Sequence, residues 1–310
     1  MKRKVAQIGP STLMVSLPMK WVKENNVSKG DELDVSLGKK EINFALGEKK
    51  KKEKEITIDI SNYDRYLLDR NITILYRNNY DKIILNYKDN VILDHKSNNY
   101  NAQNYLQRLS KRFIGVEIVS QTDKRTEMAC FILKDLENLK TIERRIYFLL
   151  KETINSLMNA IDKDFLEFDK YIYDHHDNIV KFINYYLRVI DRLTFNENEK
   201  KQIYAFYIIM DKLVDKVRHL SNKIAEYGCT SKVKNYLKDV FGIFFALFNN
   251  FYLVKFDSKL IEERYKLMAK IDAESFTIKE MRVIKEIDLF LNVINDFSET
   301  ILLKQLVEKD

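Results

Sequence analysis

The chain has 310 residues, 32% of them charged, and a formal net charge of +7. That length allows two or three domains and a sizeable core, and the basic excess either favours nucleic acid or an anionic surface as partner or serves solubility alone. Two cysteines, Cys130 and Cys229, exclude a disulfide scaffold and a cysteine-based zinc site, and point to buried thiols in a reducing compartment, the cytoplasm.

No basic-then-apolar signal peptide opens the sequence. The longest apolar run, Phe241–Phe256, contains Asn249 and Asn250 and is too short to span a bilayer, so it reads as a buried helix, with a groove for a partner as the alternative. Pro10 and Pro18 are the only prolines, and Gly9, Gly30, Gly38 and Gly47 are four of the seven glycines. Turn chemistry concentrated in this way predicts a small β-rich head and a helical body, a mixed but mainly α chain.

In the head, Lys2–Ile8 alternates weakly and Thr12–Leu17 is a short apolar run with β-branched residues. Pro18 is placed to open a short helix at its first position, with Trp21 and Val22 following. Ser28-Lys29-Gly30-Asp31 reads as a turn, and Leu33–Leu37 alternates as a strand. A unit this small cannot enclose its own core, and a homodimer would complete it.

The ordered motifs Lys2-Arg3-Lys4, Gly9-Pro10-Ser11-Thr12, Val15-Ser16-Leu17-Pro18-x-Lys20-Trp21-Val22 and Val27-x-Lys29-Gly30-Asp31-Glu32-Leu33 closely resemble the AbrB/SpoVT-type DNA-binding domain in its archaeal form. The resemblance implies a domain over residues 1–47 in which two chains interleave swapped hairpins into one β-barrel. It also implies contact with double-stranded DNA, largely through backbone and shape, by Lys2, Arg3, Lys4, Lys20 and Lys23. A dimerisation module without DNA binding is the alternative.

Residues 48–55 (EKKKKEKE) read as a solvated linker or as a phosphate-contacting arm. Residues 56–135 look like a small α/β unit. Ile56–Ile60 alternates, Asn62–Arg77 has helical spacing and Asp81–Tyr87 reads as a strand. Gln103–Phe113 is helical with Arg108, Lys111 and Arg112 on its surface, and Gly115–Ser120 pairs with Thr126–Ile132 as a hairpin. The run RFIGVEIVSQTDKR resembles a segment between head and bundle in archaeal PhoU-like regulators.

The helical domain spans 137–308, with helices expected over 137–162, 164–193, 196–227, 230–255, 257–273 and 277–308. Asn196 is a suitable N-cap, Gly228 a suitable stop, and Thr277-x-x-Glu280 a capping box. In the third helix Ile203, Phe206, Met210, Leu213, Val217, Leu220 and Ile224 recur at steps of three and four, which makes one buried stripe. Asp211, Asp215, Arg218, His219 and Asn222 flank it. At an offset of 81 residues Ile203, Phe206, Met210, Leu213 and Leu220 map onto Ile284, Ile287, Leu291, Ile294 and Ile301. Asp215 maps onto Asp296, Asp211 onto Asn292 and Arg218 onto Glu299. This suggests a duplicated unit of three helices.

The Asp211-x-x-x-Asp215 pair, the displaced Asn222–Glu226 run (NKIAE) and the degraded Asn292-x-x-x-Asp296 copy resemble the phosphate-uptake regulators called PhoU. The resemblance covers residues 138–308 and implies a bundle of six helices in two three-helix halves with metal bound at the carboxylates. It also implies a regulator of phosphate uptake and contact with the cytoplasmic subunit of a phosphate transporter.

Asp211 and Asp215 lie one turn apart and can reach one cation, with Mg, Mn or Ca suited to carboxylates and His219 extending the choice to Fe or Zn. Further ligands are sought in Glu152, Asp162 or Asp164, and a second site at Asp296 and Glu299. A solvated flank paired with Lys212 or Lys216 is the alternative. His175 and His176 point about 100° apart on a helix and read as solvated surface, and His95 stands alone in a polar loop. No phosphate-binding glycine loop, nucleophile elbow or zinc-protease motif occurs, so no enzymatic activity is expected.

Overall fold

The computed structural model describes residues 2–37, 42–46, 53–94, 98–131, 139–190, 197–253 and 255–307. Asn196, His95, most of the 48–55 run and the junction at 132–138 lie outside them. The chain divides into two compact units, Met1–Lys52 and Glu53–Asp310.

In the first unit, β1 (Ala6–Gly9) pairs antiparallel with β2 (Thr12–Met14), with a register shift between Gln7 and Gly9. Helix α1 (Met19–Glu24) follows. Pro18 stands one position earlier than expected, as its N-cap, where its carbonyl accepts from the Val22 N–H at 3.0 Å. Gly30, at φ +99°, turns the chain in a conformation that L side chains rarely adopt. Strands β3 (Leu33–Leu37) and β4 (Ile42–Leu46) form a second hairpin, a two-stranded sheet separate from the first among the described residues.

The second unit begins with a four-stranded sheet in the order β5-β6-β10-β9: β5 (Glu55–Asp59), β6 (Lys82–Asn86), β9 (Val116–Thr122) and β10 (Arg125–Cys130). Strands β5 and β6 run parallel through the crossover helix α2 (Arg65–Arg77), whose N-cap Asp64 accepts from the Leu67 N–H at 2.7 Å. A small ribbon of β7 (Val91–Leu93) and β8 (Asn99–Asn101) leads into α3 (Ala102–Ser110). Leu68, Ile72 and Tyr76 of α2 meet Leu106 of α3 and Ile83, Leu85 and Met128 of the sheet in one buried core.

Six helices follow: α4 (Leu139–Ala160), α5 (Phe165–Val189), α6 (Glu197–Tyr227), α7 (Ser231–Leu253), α8 (Ser258–Asp272) and α9 (Ile278–Val307). Each starts and stops within a few residues of the expected bounds. Gly228, at φ +82°, ends α6, and its N–H donates to the Ile224 carbonyl at 2.8 Å. The capping box opens α9: the Thr277 N–H reaches Glu280 Oε2 at 2.9 Å and the Glu280 N–H reaches Thr277 Oγ1 at 3.3 Å.

The apolar stripe of α6 and its counterpart on α9 are buried against each other. Phe206, Met210 and Leu213 have no exposed surface, nor have Ile287, Leu291 and Ile294 at the mapped positions. Phe206 stacks on Phe251 of α7 at 3.6 Å and lies 5.2 Å from the Phe297 ring of α9. The correspondence between the halves is uneven in length: α5 has 25 residues and α8 has 15. No described helix is long and apolar enough to cross a membrane. Both cysteines are half-buried rather than sealed in a core.

Candidate functional site

Among the described residues of the first unit none is buried. Its alternating strands place apolar residues in register: Leu33 opposite Leu46, Val35 opposite Phe44, Leu37 opposite Ile42. Val35, Ile42 and Phe44 are 53%, 59% and 47% exposed, so this face of the hairpin lacks a cover among the described residues of the unit. Before Glu24 the sequence holds five basic residues and no acidic one: Lys2, Arg3, Lys4, Lys20 and Lys23. All five are exposed. Only Lys20 has an ion-pair partner among the described residues, Glu24 at 3.9 Å in open solvent, which leaves its charge available to a phosphate.

In the second unit the carboxylates flanking the α6 stripe meet cations of the protein itself. Arg77 of α2, buried, donates from Nη2 to Asp211 at 2.8 Å and from Nε to Asn184 of α5 at 2.8 Å. Asp215 Oδ1 accepts from Arg218 Nη2 at 2.7 Å and lies 2.9 Å from His176 Nε2. His176 Nδ1 is 2.9 Å from Asp177, and Asp177 pairs with Arg112 Nε at 2.9 Å. Arg112 reaches Asp69 at 3.4 Å; Asp69 also accepts from the Tyr105 hydroxyl, which in turn accepts from Arg65 Nε at 3.1 Å. The series runs unbroken from α2 and α3 through α5 to α6.

Burial opposes charge on His176, but its bonds to Asp177 and Asp215 outweigh that and raise the imidazole above its ordinary value. Burial likewise opposes charge on Asp215, and His176 and Arg218 overcome it and hold the carboxyl well below the usual range. Asp177 is lowered in the same way, by His176 and Arg112. For His219, burial and then Arg218 push the imidazole down.

These contacts correct three expectations. His176 is buried between carboxylates from α5 and α6 and is not solvated surface; His175 is half-buried and stacks on Phe168 at 5.8 Å. Arg112 is not a surface cation of α3 but an ion-paired bridge to α5. The partners of Asp211 and Asp215 are Arg77, Arg218 and His176 rather than Lys212 or Lys216.

The donor set also does not fit a metal ion. Asp211 and Asp215 are each neutralised by a guanidinium, and His219 faces Arg218 Nη2 at 3.2 Å. Glu152 is exposed, Asp162 pairs with Lys234, and Asp164 caps α5 by accepting from the Glu167 N–H at 3.1 Å. Asp296 and Glu299 are exposed. Asn292 accepts from Arg264 at 3.3 Å, so an arginine also meets the position equivalent to Asp211. Among the described residues no three His, Cys, Asp or Glu side chains converge.

Residues 7–42 match the family model described as antidote-toxin recognition MazE, bacterial antitoxin. No characterised protein and no solved structure matches the chain. The first unit therefore contains a domain of the MazE/AbrB type, followed by an α/β sheet and a bundle of about six helices. Beyond that helical region, these comparisons lend the PhoU resemblance no support.

Proposed function

We propose that the protein is a dimeric DNA-binding regulator whose first unit grips duplex DNA and whose second unit relays a signal to it. The observation that carries this reading is the MazE/AbrB-type match over residues 7–42, in a unit with an uncovered apolar hairpin face and five exposed basic residues before Glu24. Lys2, Arg3, Lys4, Lys20 and Lys23 neutralise phosphates, and a second copy of the chain covers Val35, Ile42 and Phe44. Phosphate status as the signal is the finer form of the proposal and rests on the PhoU resemblance of the α6 and α9 motifs.

The test is fluorescence anisotropy of the full chain on DNA upstream of its own gene, over a salt series, with random duplex as control. Specific binding is expected, with log K falling steeply with log salt. The Lys2/Arg3/Lys4→Ala variant should lower that slope by about 0.9 for each phosphate it no longer neutralises. Equal affinity for upstream and random duplex at physiological salt would sink the proposal.

A second reading draws on the same match, since the description of the matching family speaks of toxin recognition. The first unit then pairs chains without touching DNA, and the helical unit contacts another protein, for which the PhoU resemblance names the cytoplasmic subunit of a phosphate transporter. A pull-down from phosphate-replete extract that recovers no transporter component counts against it.

A further inference from the structure

A broad open cleft of about 2410 Å³ lies within the second unit, lined by α2, α3 and the start of β9 on one side and by α5 and α6 on the other. It exceeds the roughly 300–1,000 Å³ of a small-molecule pocket. Its charges fall into two sets. Asp69, Asp177, Asp211 and Asp215 are all ion-paired to arginine, as described above. Arg70, Arg108, Lys111, Lys181 and Lys212 line the same cleft, and among the described residues none of them has an ion-pair partner. Against these five stand Glu117 and Asp174, whose carboxylates carry no described hydrogen bond or ion pair, and Asp94, which accepts from the Asn98 side chain and the Tyr100 hydroxyl. The uncommitted charge is therefore positive.

Aromatic rings accompany it. Tyr66, Tyr173 and Tyr204 line the cleft and are 61%, 44% and 41% exposed. Arg70 lies 4.4 Å over the Tyr66 ring and Arg218 lies 5.3 Å over the Tyr173 ring. Cations that track a phosphodiester backbone, interleaved with exposed rings on which bases stack, are what an unpaired strand requires. A duplex keeps its bases stacked internally and has no use for the rings. An acidic peptide would use the cations and leave the rings idle.

We infer that this cleft binds single-stranded nucleic acid, at a site separate from the duplex contacts proposed for the first unit. The inference does not rest on those contacts, and either site can exist without the other.

The experiment is anisotropy of the intact chain on labelled single-stranded RNA and single-stranded DNA 20-mers, with unlabelled duplex and a poly-glutamate peptide as competitors. Two variants probe opposite sides of the cleft: Lys181→Ala/Lys212→Ala on α5 and α6, and Arg70→Ala/Arg108→Ala on α2 and α3. The Lys2/Arg3/Lys4→Ala variant is the control. Each cleft variant should weaken single-strand binding about 10- to 30-fold near 0.1 M salt and reduce the salt slope by about 1.4. Thermal unfolding and duplex binding should be unchanged, and the control should keep single-strand affinity. Tyr66→Ala/Tyr204→Ala should weaken single-strand binding with the salt slope intact. The inference is overturned if neither single strand binds. It is also overturned if only the control loses single-strand binding, if poly-glutamate displaces the strand as well as nucleic acid does, or if the tyrosine variant binds as the wild type. Whichever of RNA and DNA binds more tightly identifies the source of the strand.

Discussion

Arg188 fastens the α/β part of the second unit to its helices, and His176 fastens two of those helices to each other. Arg188, 1% exposed, donates to the Tyr76 and Tyr80 carbonyls at 2.7 and 2.9 Å and to Asp81 at 2.9 Å. The Tyr76 carbonyl, in the last turn of α2, already accepts from the Asn79 N–H at 3.1 Å, and Arg188 gives it a second donor from another element. His176 holds carboxylates of α5 and α6 together, and its charge makes that contact dependent on pH. A group whose folded value is raised adds stability that is complete below its unfolded value, about 6.5, and is lost as pH rises through the folded one. Urea denaturation of wild type and His176→Gln should thus give a stability difference that shrinks as pH is raised from 6 to 9. A difference constant over that range would contradict the doubly bonded imidazolium. Asp177 and Asp215 work in the opposite sense, and their contribution is lost only in the acid range. None of this was legible in the sequence. The α5 stretch shows two adjacent histidines among polar residues, and burial of the second comes from packing against distant segments. Arg77 and Asp211 are 134 positions apart, and local spacing carries no trace of such a pair.

At the scale of elements the sequence was far more readable, because helix positions are written in local chemistry. The stripe from Ile203 to Ile224 and its copy from Ile284 to Ile301 mark α6 and α9 by period alone, and Gly228 and Thr277-x-x-Glu280 mark an end and a start. One link was hidden. Glu280 Oε1 also accepts from Thr230 Oγ1 at 2.7 Å, and Thr230 Oγ1 accepts from the Val233 N–H at 3.4 Å. The box that opens α9 is thereby joined to the first turn of α7. Thr277→Ala should lower the unfolding free energy by about 1 kcal/mol in chemical denaturation. An unchanged midpoint would mean that the box contributes nothing to the start of α9. The sequence also announced the strands β3 and β5 by alternation, whereas the order β5-β6-β10-β9 depends on pairings that no local pattern specifies.

For the whole molecule, the contrast between the units decides the behaviour. The second unit owns two cores and folds around them. The first has hairpins, a bulge and one short helix, but no described residue that is buried. A Val35→Asp/Phe44→Asp chain should sediment as a monomer and lose duplex binding, while thermal unfolding of the second unit stays where it was. A dimer persisting in analytical ultracentrifugation would place the pairing surface elsewhere.

A head that acquires its interior only from a second copy also acquires its fold by mass action. Its folded fraction then follows the abundance of the chain, and in the dilute range occupancy of a DNA site rises with the square of that abundance rather than in proportion to it. A twofold change in synthesis or degradation would be read out as about a fourfold change in occupancy, so the cell could use protein level itself as the input. The uncovered face of one small hairpin, built from Val35, Ile42 and Phe44, is what would turn a concentration into a steep response.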